Sequence, residues 1–204
     1  MPFFERPERE VQPQRSSFRR TREDPAFTRP TLVVPRYLAS DLILAVGDER
    51  AIAMHGIACY PTGFAFQLQA VSRFEYERDG EAVYEDNPLA RFHHYGRSSL
   101  GEIPDSELRF GIEYSNGERF TTLDLAPARR RESGLASNAP CMQPQGGSGR
   151  PGTWTQELWV WPLPPEGPVT FACEWPAYGI PETSRTLEGD RFRAAGEKAK
   201  LLFA

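Results

Sequence analysis

The side chains best suited to chemistry in this 204-residue chain cluster at Arg91–Arg97, RFHHYGR. Two adjacent imidazoles titrate near neutral pH. Phe92, Tyr95 and Arg97 add a ring, a phenol and a fixed cation. The cluster falls in a connection rather than an apolar run, where binding groups often lie. Phe92, His93, His94, Tyr95 and Arg97 are therefore the candidate binding residues, suited to a ligand-binding or hydrolase-like role. Catalysis asks for more. Ser98 and Ser99 follow, but no Gly-x-Ser-x-Gly elbow surrounds them, and no catalytic residue is assigned.

The remaining histidine, His55, stands four residues from Cys59. On a strand such a pair shares a face but is about 13 Å apart, too far for one ion. The chain has no Cys-x-x-Cys, His-x-x-x-His or His-Glu-x-x-His, so no metal ligand and no cofactor is assigned. Cys59 and Cys173 fall in apolar strand patterns and read as buried thiols. Cys141 falls among prolines and glycines and reads as an exposed one. Glu113, Glu118, Asp124, Glu157 and Glu174 lie on or beside strands, where carboxylates usually face solvent. Trp159 and Trp161 share one strand face and would form a sugar-stacking platform if exposed, but their apolar neighbours favour core. Gly146-Gly147-Ser148-Gly149-Arg150 lacks the Lys-Ser/Thr ending of a phosphate loop and reads as linker.

Short strands must position these groups. The 19 prolines and 17 glycines favour frequent turns over long helices. Asp41–Val46, Ala51–Tyr60 and Phe64–Phe74 read as successive strands, the last alternating apolar and polar positions. Leu108–Tyr114 and Arg119–Leu125 flank Asn116-Gly117, which predicts a type I′ hairpin. Trp154–Trp161 and Val169–Trp175 flank a proline-rich turn and predict a buried hairpin with cover on both faces of its first strand. Three assignments complete the map: an extended or disordered arm over 1–30, a domain over 31–186 with a long mobile loop at 127–152, and a C-terminal helix over 187–204. Arg73–Gly80 is charged and ends in the turn signal Asp79-Gly80, and Glu81–Gly101 is read as a long irregular connection.

The fold class that follows is mainly all-β, an antiparallel β-sandwich of immunoglobulin-like architecture with a flexible N-terminal arm and a short C-terminal helix. The formal net charge of −4 excludes a globally basic field and disfavours nucleic acid. No apolar run approaches the roughly 18 residues of a membrane span. The charged opening MPFFERPERE is unlike a signal peptide, and three widely spaced cysteines are unlike a secreted framework, so we expect a cytoplasmic protein.

Glu157–Pro168 and Cys173–Pro176 resemble small bacterial proteins that carry an ELWVWPLPPxGP-type segment followed by a CEWP-type strand. The resemblance covers the last third of the domain and implies no activity and no site residue. From the residues themselves we expect a non-enzymatic binding or assembly module. It would contact a protein partner or another copy of itself through its loops and its arm, whose Phe3, Phe4, Phe18 and Phe27 offer anchors.

Overall fold

Among the described residues, fourteen short strands and one α-helix are laid down in an order set by where apolar alternation and chain breakers fall. In the computed structural model, residues 27–73, 105–124 and 140–203 are described, together with the backbone of 77–78 and 81–82. In chain order the elements are β1 (Val33–Val34), β2 (Arg36–Tyr37), β3 (Leu42–Val46), β4 (Arg50–Cys59), β5 (Phe64–Ser72), β6 (Glu77–Arg78) and β7 (Glu81–Ala82). Then follow β8 (Arg109–Tyr114), β9 (Arg119–Thr121), β10 (Cys141–Arg150), β11 (Thr153–Trp161), β12 (Pro168–Trp175), β13 (Ile180–Glu188), α1 (Gly189–Gly196) and β14 (Lys200–Leu201).

Two antiparallel sheets carry the structure. The first runs β10-β11-β5-β4, with β2 and β3 sharing the far side of β4. The second runs β13-β12-β8-β9. Each strand turns its alternate apolar residues toward the opposite sheet. Leu44, Ile52, Met54, Phe64, Phe66, Leu68, Leu158 and Val160 from the first meet Phe110, Ile112, Val169, Phe171 and Trp175 from the second. Phe171 sits at the centre, with ring centroids of Phe64, Phe66, Phe110 and Phe192 all within 6.5 Å. Phe192 comes from α1, which closes one end of the core. Elsewhere in the core, Arg50 is 2% exposed and lies 4.5 Å from the Tyr178 ring, 5.3 Å from Trp154 and 5.9 Å from Trp175.

Trp154, Leu158 and Val160 face this core, while Trp159 faces the other way and is equally buried. Its cover is the segment Phe27–Pro30. The Trp159 indole Nε1 donates to the Phe27 carbonyl at 2.8 Å. Arg29 donates to the Tyr60 hydroxyl and to Glu157 Oε1, each at 2.8 Å. Val33 and Trp161 pack beside Ala58, Tyr60, Ala65 and Trp159 to finish this second, smaller apolar cluster. Gly63 permits the approach at the β4–β5 turn: a Cβ there would stand 2.6 Å from the Trp159 ring.

Several boundaries differ from the sequence reading, and so does one pairing. Trp154–Trp161 and Val169–Trp175 form no hairpin, because β11 pairs with β10 and β5 in the first sheet and β12 pairs with β13 and β8 in the second. The proline-rich segment between them crosses from one sheet to the other. Residues 27–30 belong to the packed body rather than to the arm, because Trp159 and Glu157 hold them. The expected loop at 127–152 contains β10, nine of whose ten residues pair with β11, from Cys141↔Trp161 to Arg150↔Thr153. Its composition is loop-like because it is an edge strand, buried only at Cys141 and Met142, with a bulge between Pro144 and Gly146. β13 is likewise polar because it borders the second sheet and is mostly exposed. The C-terminal helix spans Gly189–Gly196 rather than 187–204. Leu187 and Glu188 belong to β13, and Lys200-Leu201 returns as a strand against β1. The Asn116-Gly117 hairpin forms, but through a three-residue connection with Gly117 at φ +83°. That is the type I turn followed by a left-handed glycine, not the two-residue turn.

Candidate functional site

The outer face of the second sheet acquires its shape from cross-strand register. Ser184, Ala172, Gly111 and Thr121 lie side by side on β13, β12, β8 and β9. All four are small, so they form a trench across the sheet, about 14 Å long at the usual strand spacing. On one side Arg109 stands directly opposite Glu174, and its Nη1 donates to Glu174 Oε1 at 2.6 Å. On the other side Glu113 stands opposite Arg119 and accepts its Nε–H. Thr170 continues that second bank beside Glu113. Exposed Glu182 stands near Glu174, and Leu123 beyond Thr121 adds an apolar wall. The cleft bounded by these residues encloses about 340 Å³.

The banks are built from paired charges, which fixes what the trench can do. Arg109 and Arg119 are each neutralised by a carboxylate across the ladder, so the face presents no concentrated positive field for a phosphate. Glu182 supplies a further negative charge at one end. The surface therefore suits an extended, partly apolar segment bearing a basic side chain.

Each carboxylate singled out from the sequence has a partner. Glu113 is paired with Arg119, Glu118 with the Asn116 amide, Asp124 with the Thr121 backbone N–H, Glu157 with Arg29 and Glu174 with Arg109. Of these, Glu174 and Glu113 reach the trench. The indole platform is closed, since Trp159 is fully buried. His55 and Cys59 fall on opposite faces of β4, because a bulge at Gly56, φ +65°, reverses the alternation between them. Among the described residues no group of three or more His, Cys, Asp and Glu side chains is placed to hold a metal ion. No described helix is long and apolar enough to cross a membrane. Phe92, His93, His94, Tyr95 and Arg97 lie outside the described residues.

All three cysteines are buried and none forms a disulfide, and the burial of Cys141 is contrary to its loop-like sequence context. Burial pushes the Cys59 thiol from 9.0 up to about 12. Burial also raises Cys173, against the opposing effects of the Thr183 hydroxyl and the Arg185 charge. Tyr114 is raised well above its ordinary value by burial and by nearby Glu118 and Cys141. In each case folding favours the neutral form. Stability from these groups is complete below the unfolded-state values and is lost as pH rises toward the folded-state ones. The urea midpoint is expected to hold through neutral pH and to fall above about pH 9. A single thiol such as Cys59 then withdraws at most about 1.4 kcal/mol per pH unit. Urea titrations at stepped pH, with Cys59→Ala flattening part of the decline, check this.

The trench itself was not read from the sequence. Its signal was present as Thr170, Ala172 and Glu174 alternating with Phe171 and Cys173. Without knowing which residue faces Ala172, its smallness says nothing. No known family model matches the chain, and no curated protein and no solved structure is significantly similar to it.

Proposed function

We propose that the chain is a non-enzymatic binding module whose second sheet recognises a short extended segment of a partner protein. The trench carries the reading. Small residues in register across four strands leave room for about four residues of extended chain, and Glu182 and Glu174 favour a basic side chain at one end. The contact surface is thus the sheet face rather than the loops alone.

The architecture in this reading is an immunoglobulin-like sandwich, and strand order supports it. β4-β5-β11-β10 follows the A-B-E-D order, and β8-β12-β13 follows C-F-G, with β9 added beside β8 and β3 beside β4. The Phe66–Phe171 ring contact links β5 and β12, the B and F positions that a disulfide joins in antibody domains. Fold alone does not give function, so the trench and not the sandwich carries the binding claim. Three unbridged thiols fit a reducing, cytoplasmic setting. The likeness of Glu157–Pro168 to a bacterial group is part of the same reading.

Ala172→Arg fills the trench from its floor, and Glu182→Lys reverses its end charge. Both side chains lie on the outer face, so unfolding free energies should match wild type within about 0.5 kcal/mol. Wild-type chain immobilised in extract of its own source should retain a protein that both variants lose, and its β8 and β12 amides should gain exchange protection in that complex. A retained set unaltered by both substitutions overturns the proposal.

A further inference from the structure

The opposite face of the molecule is closed by a segment that lies outside every strand. Phe27–Pro30 crosses the outside of the first sheet before the chain enters β1. The surface beneath it has the chemistry of a guanidinium site. Tyr60 offers a ring 5.2 Å from the Arg29 guanidinium and a hydroxyl that accepts from Nε. Glu157 accepts from Nη1 at 2.8 Å. Two donors, the Trp159 indole and the Gln143 amide, fix the Phe27 carbonyl two residues earlier. A ring face, a carboxylate and a carbonyl clamp at set spacing recognise a carbonyl-x-Arg segment.

Two observations point to who else can fill it. The Arg29–Glu157 pair is partly exposed, with side chains 29% and 34% accessible, and pairs of this kind hold weakly. Directly after Pro30 the chain enters the β1–β14 ribbon, where Leu202 N donates to the Leu32 carbonyl. That ribbon displays Leu32, Val34, Leu201, Leu202 and Phe203, each 43–73% exposed. Large apolar side chains gathered on one exposed element mark an association surface. A second copy covering this ribbon would bury those side chains, and its own Phe27–Pro30 is the same carbonyl-x-Arg segment that the site accepts. Every contact made within one chain can then be remade between two, with two-fold symmetry closing the assembly.

We infer that Phe27–Pro30 is exchangeable between copies of this chain, so that Arg29 of one copy occupies the Tyr60–Glu157–Trp159 site of another. This lies apart from the trench, and Ala172→Arg should leave it untouched. The test is native mass spectrometry of the full chain over a concentration series, using wild type, Arg29→Glu, Glu157→Arg, their equimolar mixture and the double variant. Wild type should show a dimer that grows with concentration, and each single variant should lower its dimer fraction at least tenfold. The mixture should form the one-to-one heterodimer, because only there does every residue 29 meet an opposite charge. The double variant, with its charges exchanged, should regain the wild-type dimer. A wild-type chain that is monomeric throughout overturns the inference. So does a mixture that yields no heterodimer while the double variant keeps the wild-type thermal midpoint, since the contact then forms only within one chain. A dimer indifferent to both charge reversals overturns it equally.

Discussion

Phe171→Ala is expected to lower unfolding free energy by about 3–5 kcal/mol, the range for deleting a buried phenylalanine. Phe171 has no solvent exposure and touches rings from both sheets and from α1. Truncation removes its transfer free energy and leaves a hole that Phe64, Phe66, Phe110 and Phe192 fill only in part. Since the rings are anchored on three elements, β5, β8 and α1, no single shift closes the gap. For a domain whose whole stability is about 5–15 kcal/mol, that is a large fraction. Phe171→Leu keeps most of the volume and should lose only about 1–1.5 kcal/mol. Urea titration followed by tryptophan fluorescence at neutral pH separates the two. Near-equal losses for both substitutions would show that the centre of the core lies elsewhere.

Arg50→Ala is the second large effect, about 3 kcal/mol. A guanidinium among Tyr178, Trp154 and Trp175 is desolvated, and such cation–ring contacts are worth about 2 kcal/mol or more. The aliphatic stem of the arginine adds packing of its own. Arg50→Lys keeps the charge but not the flat group that stacks on rings, so it should recover less than half of the loss. Arg50→Met tests the balance between packing and charge. A methionine chain as stable as wild type would assign the site to packing alone. Near-ultraviolet circular dichroism should report the change, because two indoles lose a fixed neighbour.

The strands with an inward apolar face were legible before any coordinates. Phe64–Ser72, Arg109–Tyr114 and Pro168–Trp175 each announce themselves by alternation, because burial on one side imposes it, and Leu42–Val46 by its unbroken apolar run. The long strands that escaped notice are β10 and β13. Both are edges, paired on one side and largely wet, so selection for apolar residues hardly touches them. The strap over Trp159 was half legible. Trp159 and Trp161 opposite Leu158 and Val160 required cover on both faces, but nothing nearby in sequence named Phe27 and Arg29 as the cover. The contacts span more than 120 residues. The trench was hidden for the same kind of reason. Smallness at Gly111, Ala172, Thr121 and Ser184 becomes a shape only once four strands are aligned. His55 and Cys59 show the converse failure, in which a correct strand assignment misled because one left-handed glycine changed the parity.

The border formed by β10 has a consequence for life at high concentration. A foreign strand seeking to extend the first sheet there would meet Pro144, which has no N–H to offer, and then the kink that follows it. Beyond the kink, Gln145-Gly146-Gly147-Ser148-Gly149 supplies almost no side chains to interlock with an intruder. The same irregularity that disguised this segment as a loop makes it a poor template for fibrils.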